Sequence, residues 1–305
     1  MAFKITILGS SGAVPAYGRL PSAQFIEVEN SYFLIDCAEG AQLQLMKYEL
    51  HMHRIDHIFI SHLHGDHYLG LMGLIFTLHL NKRKTDLHIY SHKGLDEIIT
   101  LQLKYSKSAL NYKIIFHLLT PGKREVIFEN KSVTVETIPL QHKLDCSGFL
   151  IREKQKPRRI DKESLPENLS ILQLNKLKNG EDVTDENGNI QHKNDSLTRS
   201  PRKSRSYAYC SDTQYSEEII GQIKEVDVLY HEATFMEEEA AKAAETMHST
   251  VKQAATIAVK ANPTRLLIGH FSARYKDLIP VIDEAKRVFA NTYLALEGET
   301  FTIED

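Results

Sequence analysis

The heptapeptide Ser61-His62-Leu63-His64-Gly65-Asp66-His67 places four metal-ligating side chains within six residues. It follows a short buried-type strand, Ile55–Ser61, and precedes Leu69–Leu80, which reads as a largely buried helix. Zinc accepts imidazole nitrogen and carboxylate oxygen at about 2.0–2.2 Å. Alternating residues of an extended turn can serve one metal from His62 and His64. Asp66 and His67, at the start of the helix, can serve a second. Gly65 permits the tight backbone path between them. For most of the 15 histidines a satisfied core position is the better reading. For this cluster it is not, because a core would leave several of these polar groups without partners.

Two metals need more ligands than this cluster supplies. Three other positions share its texture, each a polar residue just after an apolar strand. They are His142 after Val133–Leu140, Asp212 after Tyr207–Cys210, and His270 after Arg265–Ile268. Together they complete two three-ligand sites with a shared carboxylate. A metal pair about 3.5–4 Å apart lowers the pKa of water toward ~7 and clamps both oxygens of a phosphoryl displacement.

Around these ligands, strands and helices alternate in both halves. Strands are expected at Lys4–Leu8, Gln24–Glu29, Tyr32–Asp36, Leu87–Tyr90, Lys113–Leu118, Ser132–Leu140, Asp227–Glu232 and Thr292–Leu296. Helices are expected at Ala41–Leu50, Lys93–Tyr105, Glu217–Ile223, Glu237–Glu245, Val251–Lys260 and Leu278–Phe289. This pattern predicts sheets packed face to face with helices outside.

With 305 residues the chain can bury a substantial core without disulfides. Cys37, Cys146 and Cys210 have no C-x-x-C spacing, which argues against a disulfide scaffold or a zinc ribbon and fits a reducing compartment. The N-terminus runs straight into a strand, with no signal-peptide pattern. The longest mostly apolar run, Tyr68–Leu80, is too short for a bilayer core of about 30 Å. The expectation is a soluble, cytoplasmic protein.

The stretch 152–205 differs from the rest. It has Asn-Gly turns at 179–180 and 187–188, three prolines, and 13 Lys/Arg against 9 Asp/Glu. Its net charge is +4 inside a chain of net -3, so the body carries about -7. An apolar stripe, Ile171, Leu172, Leu174 and Leu177, argues against complete disorder. The segment reads either as a solvated insertion or as a protruding arm that touches a polyanion.

The sequence resembles the metallo-β-lactamase superfamily, and within it the short-form tRNA 3′-processing endonucleases. The resemblance rests on Ser61–His67 with Gly70-Leu71 and Gly73-Leu74, on His142, and on Ser211-Asp212-Thr213. It rests further on His231-Glu232-Ala233-Thr234 with His248-Ser249-Thr250, and on His270-Phe271-Ser272-Ala273-Arg274-Tyr275. It implies a single domain over residues 1–305, a four-layer αβ/βα sandwich with an inserted arm at 152–205. His62, His64 and His142 would hold one zinc, and Asp66, His67 and His270 the other, with Asp212 between them. Asp66 would accept the proton of the attacking water. His248, held protonated by Glu232, would protonate the leaving 3′ oxygen, an effect of roughly 10²–10⁴-fold. Ser272 and Arg274 would contact a substrate phosphate, with a structural ion pair as the alternative role for Arg274. The arm would grip precursor tRNA and, in a homodimer, present it to the partner's site. In two places the chain departs from the family pattern. Pro15-Ala16-Tyr17-Gly18-Arg19-Leu20 stands where the family has P-x-K-x-R-N, and the arm lacks the Gly-Pro tip.

The resemblance thus implies a zinc phosphodiesterase that removes the 3′ trailer of precursor tRNA, leaving a 3′-OH on the tRNA and a 5′-phosphate on the trailer. The alternative is a superfamily hydrolase acting on a small phosphodiester or thioester, which would need neither a remote clamp nor the His248–Glu232 pair. A non-catalytic RNA-binding protein with a structural metal is disfavoured by the complete ligand set.

Overall fold

The computed structural model describes residues 3–304. Two seven-stranded sheets lie face to face. In spatial order the first contains Thr300–Thr302, Phe3–Gly9, Ala23–Val28, Ser31–Cys37, His57–Phe59, Leu87–Ser91 and Ile114–Leu118. The second contains Thr292–Leu294, Arg265–Gly269, Val228–Glu232, Ser206–Cys210, Cys146–Glu153, Val133–Leu140 and Val126–Glu129.

Strand alternation sorts the side chains into layers. Phe3, Ile5, Ile7, Phe33, Ile35, Phe149, Ile151, Tyr207, Tyr209, Tyr230 and Leu267 form the core between the sheets. Their neighbours point the other way. Leu8, Phe25, Leu34 and Ile58 pack with helices Ala41–Lys47, Leu71–Leu80 and Leu95–Tyr105. Leu150, Ala208, Leu229, Leu266 and Ile268 pack with Val251–Ala261 and Ile279–Val288. The layers run helix, sheet, sheet, helix, as the expected αβ/βα sandwich requires. Strands whose residues alternate between two apolar layers read as continuous hydrophobic runs, and so they were legible.

Several element boundaries differ from expectation. The helical stretch after Ser61 breaks into Gly65–Tyr68 and Leu71–Leu80. Gly70 lies at the break, where a Cβ would stand 2.0 Å from the Ala38 carbonyl oxygen. Glu237–Glu245 begins as a 3-10 turn, Glu237–Glu239, and becomes α-helical only over Ala240–Thr246. The strand Cys146–Glu153, central in its sheet, was not anticipated.

Between Glu153 and Ser206 the chain leaves the sheet. It forms two short ribbons, Arg159–Ile160 with Thr198–Arg199 and Val183–Thr184 with Ile190–His192, and a helix, Ile171–Lys178. Ser170 and Gln173 form a reciprocal capping box at the helix start. Leu177, Val183 and Leu197 form a small separate core with Ile160, Leu165 and Leu169. Of the apolar stripe, Leu177 is buried, whereas Ile171 and Leu172 lie exposed. Among the described residues no helix is long and apolar enough to cross a membrane.

Candidate metal centre

The ligand side chains converge where the C-terminal ends of the sheet strands meet. His62–His67 follow His57–Phe59, Asp212 follows Ser206–Cys210, Glu232 ends Val228–Glu232, and His270 follows Arg265–Gly269. His142 lies just past Val133–Leu140. His270 has a left-handed backbone (φ 60°), a strained conformation for a non-glycine residue of the kind found at functional sites.

The ligand atoms form two groups, His62, His64, His142 and Asp212, and Asp66, His67, Asp212 and His270. Asp212 faces both. Its Oδ2 lies 3.6 Å from His62 Nε2 and 3.9 Å from His142 Nε2. Its Oδ1 lies 3.4 Å from His67 Nε2 and 3.3 Å from His270 Nε2. Asp66 Oδ2 is 3.6 Å from His67 Nε2 and 3.4 Å from His270 Nε2. Tetrahedral bonds of 2.0–2.2 Å would place ligand atoms about 3.3–3.6 Å apart, so both groups are close to that spacing. His64 differs in presenting Nδ1, 2.9 Å from His62 Nε2 and 3.2 Å from His142 Nε2.

In the other four histidines the second ring nitrogen has a partner, which fixes tautomer and direction. His67 Nδ1 donates to Asp36 Oδ2 at 2.8 Å, and His142 Nδ1 to the Met247 carbonyl at 2.9 Å. His270 Nδ1 lies 2.8 Å from Thr234 Oγ1, which donates to Glu232 Oε2 at 2.7 Å. His62 Nδ1 lies 3.1 Å from Ser61 Oγ, which donates to Asp36 Oδ2 at 3.0 Å.

Electrostatics fit a cation here. Burial holds His62, His64 and His142 below the usual histidine range, which keeps their imidazoles neutral for ligation. Burial also disfavours a charged His67, but Asp212 and Asp36 outweigh it and raise its pKa well above that range. The carboxylates demand positive charge at this point. His67 Nε2 is buried without a hydrogen-bond partner, an orphaned donor set that a metal would satisfy.

Beside the ligands stands a second pair. His248 Nδ1 donates to Glu232 Oε1 at 2.8 Å and lies 4.0 Å from Asp212 Oδ2. Glu232 is fully buried and also accepts the backbone N–H groups of Thr213, Ser249 and Thr234 at 3.0–3.1 Å. Burial opposes charge on His248, but Glu232 outweighs it and raises the pKa to about 9. His64, Asp66, His142, Asp212, His248 and His270 line one cleft of about 590 Å³, which Ala13 and Ser272 also border. Arg274 instead pairs with Glu239 at 2.8 Å and stacks over Phe235 at 5.0 Å.

Two contributors escaped the sequence reading. Asp36, fully buried with φ 55°, accepts from Ser61 N, Ser61 Oγ, His67 Nδ1 and Tyr209 OH. The signal for it was a carboxylate closing the apolar run Phe33-Leu34-Ile35. The backbone N–H of Ala13 (φ 62°) donates to Asp66 Oδ2 at 2.7 Å, and no side-chain pattern reveals it. Three histidines outside the site, His57, His88 and His117, stack across adjacent parallel strands beside Tyr90.

The chain is 49% identical to a ribonuclease Z of Cytophaga hutchinsonii over 305 residues, covering 100% of this chain and 97% of that protein. It belongs to the ribonuclease Z family. Human tRNase Z, short form, superposes with a TM-score of 0.73 at 26% identity, covering 99% of this chain and 100% of that one. The metallo-β-lactamase fold protein YhfI of Bacillus subtilis gives a TM-score of 0.70 at 19% identity, with 99% and 100% coverage, which establishes the fold. A family model described as Anti-Pycsar protein Apyc1 matches residues 3–178. That match includes the Ser61–His67 motif and His142. It ends before Asp212, Glu232, His248 and His270, so the ribonuclease Z likeness is what extends over the complete site.

Proposed function

We propose that the chain removes the 3′ trailer of precursor tRNA endonucleolytically, leaving a 3′-OH on the tRNA and a 5′-phosphate on the trailer. Membership of the ribonuclease Z family makes it a metal-dependent endoribonuclease that hydrolyses phosphodiester bonds. The observation that carries the reading is a single cleft in which two ligand groups share Asp212 and the Glu232–His248 pair lies 4.0 Å from that carboxylate.

We assign two zinc ions per chain. His62, His64 and His142 would hold one, and Asp66, His67 and His270 the other, with Asp212 common to both. Zinc supplies Lewis-acid charge stabilisation and acidifies water. The chain's own groups do the rest. Asp66, fixed by the Ala13 N–H, orients the nucleophile and accepts its proton. His248 holds a proton on Nε2 and delivers it to the departing 3′ oxygen, which would otherwise leave as a poor alkoxide. Glu232 keeps that imidazole charged and aimed. Ser272, on the cleft wall, is positioned for a substrate phosphate, and Arg274 can join it by exchanging Glu239 for the phosphate.

The arm at 152–205 would serve as the tRNA-binding exosite. Its root lies at Glu153 and Ser206, the strand ends remote from the metals. Eight residues of strand at about 3.3 Å each separate root and site by about 25 Å. An arm leaving that edge points away from its own cleft, which favours presentation of tRNA to the other subunit of a homodimer. The cytoplasm, where precursor tRNA is processed and buried thiols stay reduced, is the corresponding compartment.

Purified protein incubated with end-labelled precursor tRNA should release the intact trailer, and chelation should abolish cleavage. Asp66→Ala should also abolish it while tRNA binding survives. Normal turnover by that variant would overturn the assignment.

A further inference from the structure

A concentration of cationic side chains surrounds a cavity at the root of the arm, away from the metal cleft. A cavity of about 360 Å³ opens there between body and arm stem. Its walls carry Lys131, Lys154, Lys156, Arg158, Arg159 and Arg202 against one carboxylate, Glu29. We propose that this cavity is a second phosphate-binding site, separate from the catalytic one, that clamps a phosphate ester between body and arm.

Its position follows from strand pairing. Leu140 pairs with Cys146 at the metal end of the second sheet, where Ser147 N also donates to the Ser61 carbonyl. Val133 pairs with Glu153 at the other end. Lys131 and Ser132 lie in the turn before Val133, and Lys154–Arg159 continue the chain beyond the strand end at Glu153. A phosphate held here therefore stands about 25 Å, one strand length, from the metals.

The charge arrangement has two levels. The inner carboxylates are already matched: Glu153 takes Arg205 at 2.5 Å and Lys156 at 3.1 Å, and Glu29 takes Lys156 at 3.3 Å. Those pairs form a rigid floor. Two outer cations pair with exposed acids, Lys154 with Glu129 and Arg158 with Asp195, while Arg158 Nε also donates to Thr198 Oγ1 at 2.7 Å. Exposed pairs contribute little, so phosphate oxygens can replace those carboxylates at small cost. Arg159 uses Nε on the Ser200 carbonyl at 3.1 Å, which fixes its plane. Its terminal nitrogens make no hydrogen bond among the described residues and form the fork that suits phosphate. The cavity lies at the small end of ligand sites, which run roughly 300–1,000 Å³. The phosphate has two chemical sources: the backbone of an RNA gripped by the arm, which rests on the function proposed above, or a free nucleotide.

The test compares metal-loaded wild type with Lys131→Glu/Arg159→Glu, using equilibrium dialysis of radiolabelled adenosine monophosphate and precursor-tRNA cleavage across a salt series. Wild type should show a class of nucleotide sites besides the cleft, and the variant should lose it. If KM for precursor tRNA also rises and the salt slope becomes shallower by about 2, the phosphate is the RNA's. If KM is unchanged while the second class is lost, the ligand is the free nucleotide. Unchanged nucleotide binding in the variant, or a single class in wild type, overturns the proposal. Lys131→Gln/Arg159→Gln decides the matter in the same way should the charge reversal fail to fold. Wild type that binds nucleotide at the second class but leaves precursor tRNA uncut overturns the proposed substrate instead.

Discussion

The proton on His248 is held by one carboxylate, and that carboxylate is itself held by three backbone N–H groups and a threonine hydroxyl. As the proposed general acid, a group so fixed would be needed where the leaving oxygen is a strong base and dispensable where it is not. His248→Ala should lower turnover of precursor tRNA by roughly 10²–10⁴-fold. The same variant should hydrolyse a p-nitrophenyl phosphodiester at close to the normal rate, since p-nitrophenolate departs unprotonated. Equal losses on both substrates would remove the acid role. Asp36 reaches the site through the His67 ring, whose Nδ1 donates to it at 2.8 Å. Asp36→Asn keeps the volume but loses the charge that fixes the His67 tautomer, and zinc affinity should fall about 10–100-fold in chelator competition. Unaltered affinity would show that Ser61 and Tyr209 suffice to orient the ring. The residues that converge at the candidate metal centre could be read from the sequence because several fall in one short motif and the others follow apolar strands. Asp36 could not, because its partners Ser61, His67 and Tyr209 come from other segments of the chain.

At the level of elements, hydrophobic runs announced most of the inner strands of the two sheets, since these are covered on both faces. Cys146–Glu153 was not among them, because Ser147 and Gly148 interrupt its pattern, and neither were the short strands Val126–Glu129 and Thr300–Thr302. The structure gives the reason for that glycine: a Cβ at Gly148 would come within 2.4 Å of the Tyr209 carbonyl oxygen. The interruption is a close approach between paired strands rather than the end of one. The arm is an element with its own small core, Leu177, Val183 and Leu197, so it can be removed without opening the sandwich. Deleting 155–203 and joining the ends with a short Gly/Ser linker should weaken precursor-tRNA binding strongly, read by filter binding. Hydrolysis of bis(p-nitrophenyl) phosphate should persist. Parallel losses would mean that the segment supports the cleft rather than the substrate.

For the whole molecule, the arm and the cleft occupy opposite ends of the second sheet, and this separation makes a test between subunits possible. An Asp66→Ala chain keeps its arm and lacks a working site, while the 155–203 deletion keeps its site and lacks an arm. Mixed under conditions that allow subunit exchange, the two should recover cleavage of precursor tRNA that neither performs alone. Mixtures that stay inactive while mixed dimers are demonstrably present would exclude presentation between subunits. The net charge of -3 hid this organisation, because a basic arm of +4 offsets part of an acidic body. The sequence by itself determined the layer order, through apolar runs that bury on both faces, and it singled out the candidate metal ligands, residue types that are costly to bury without partners. Only the tertiary structure decided how those ligands are held and where the arm stands. Asp36, Thr234 and the Ala13 N–H reach the site from segments far apart along the chain. The direction of the arm follows from strand polarity, a property of the assembled sheet that no local pattern encodes.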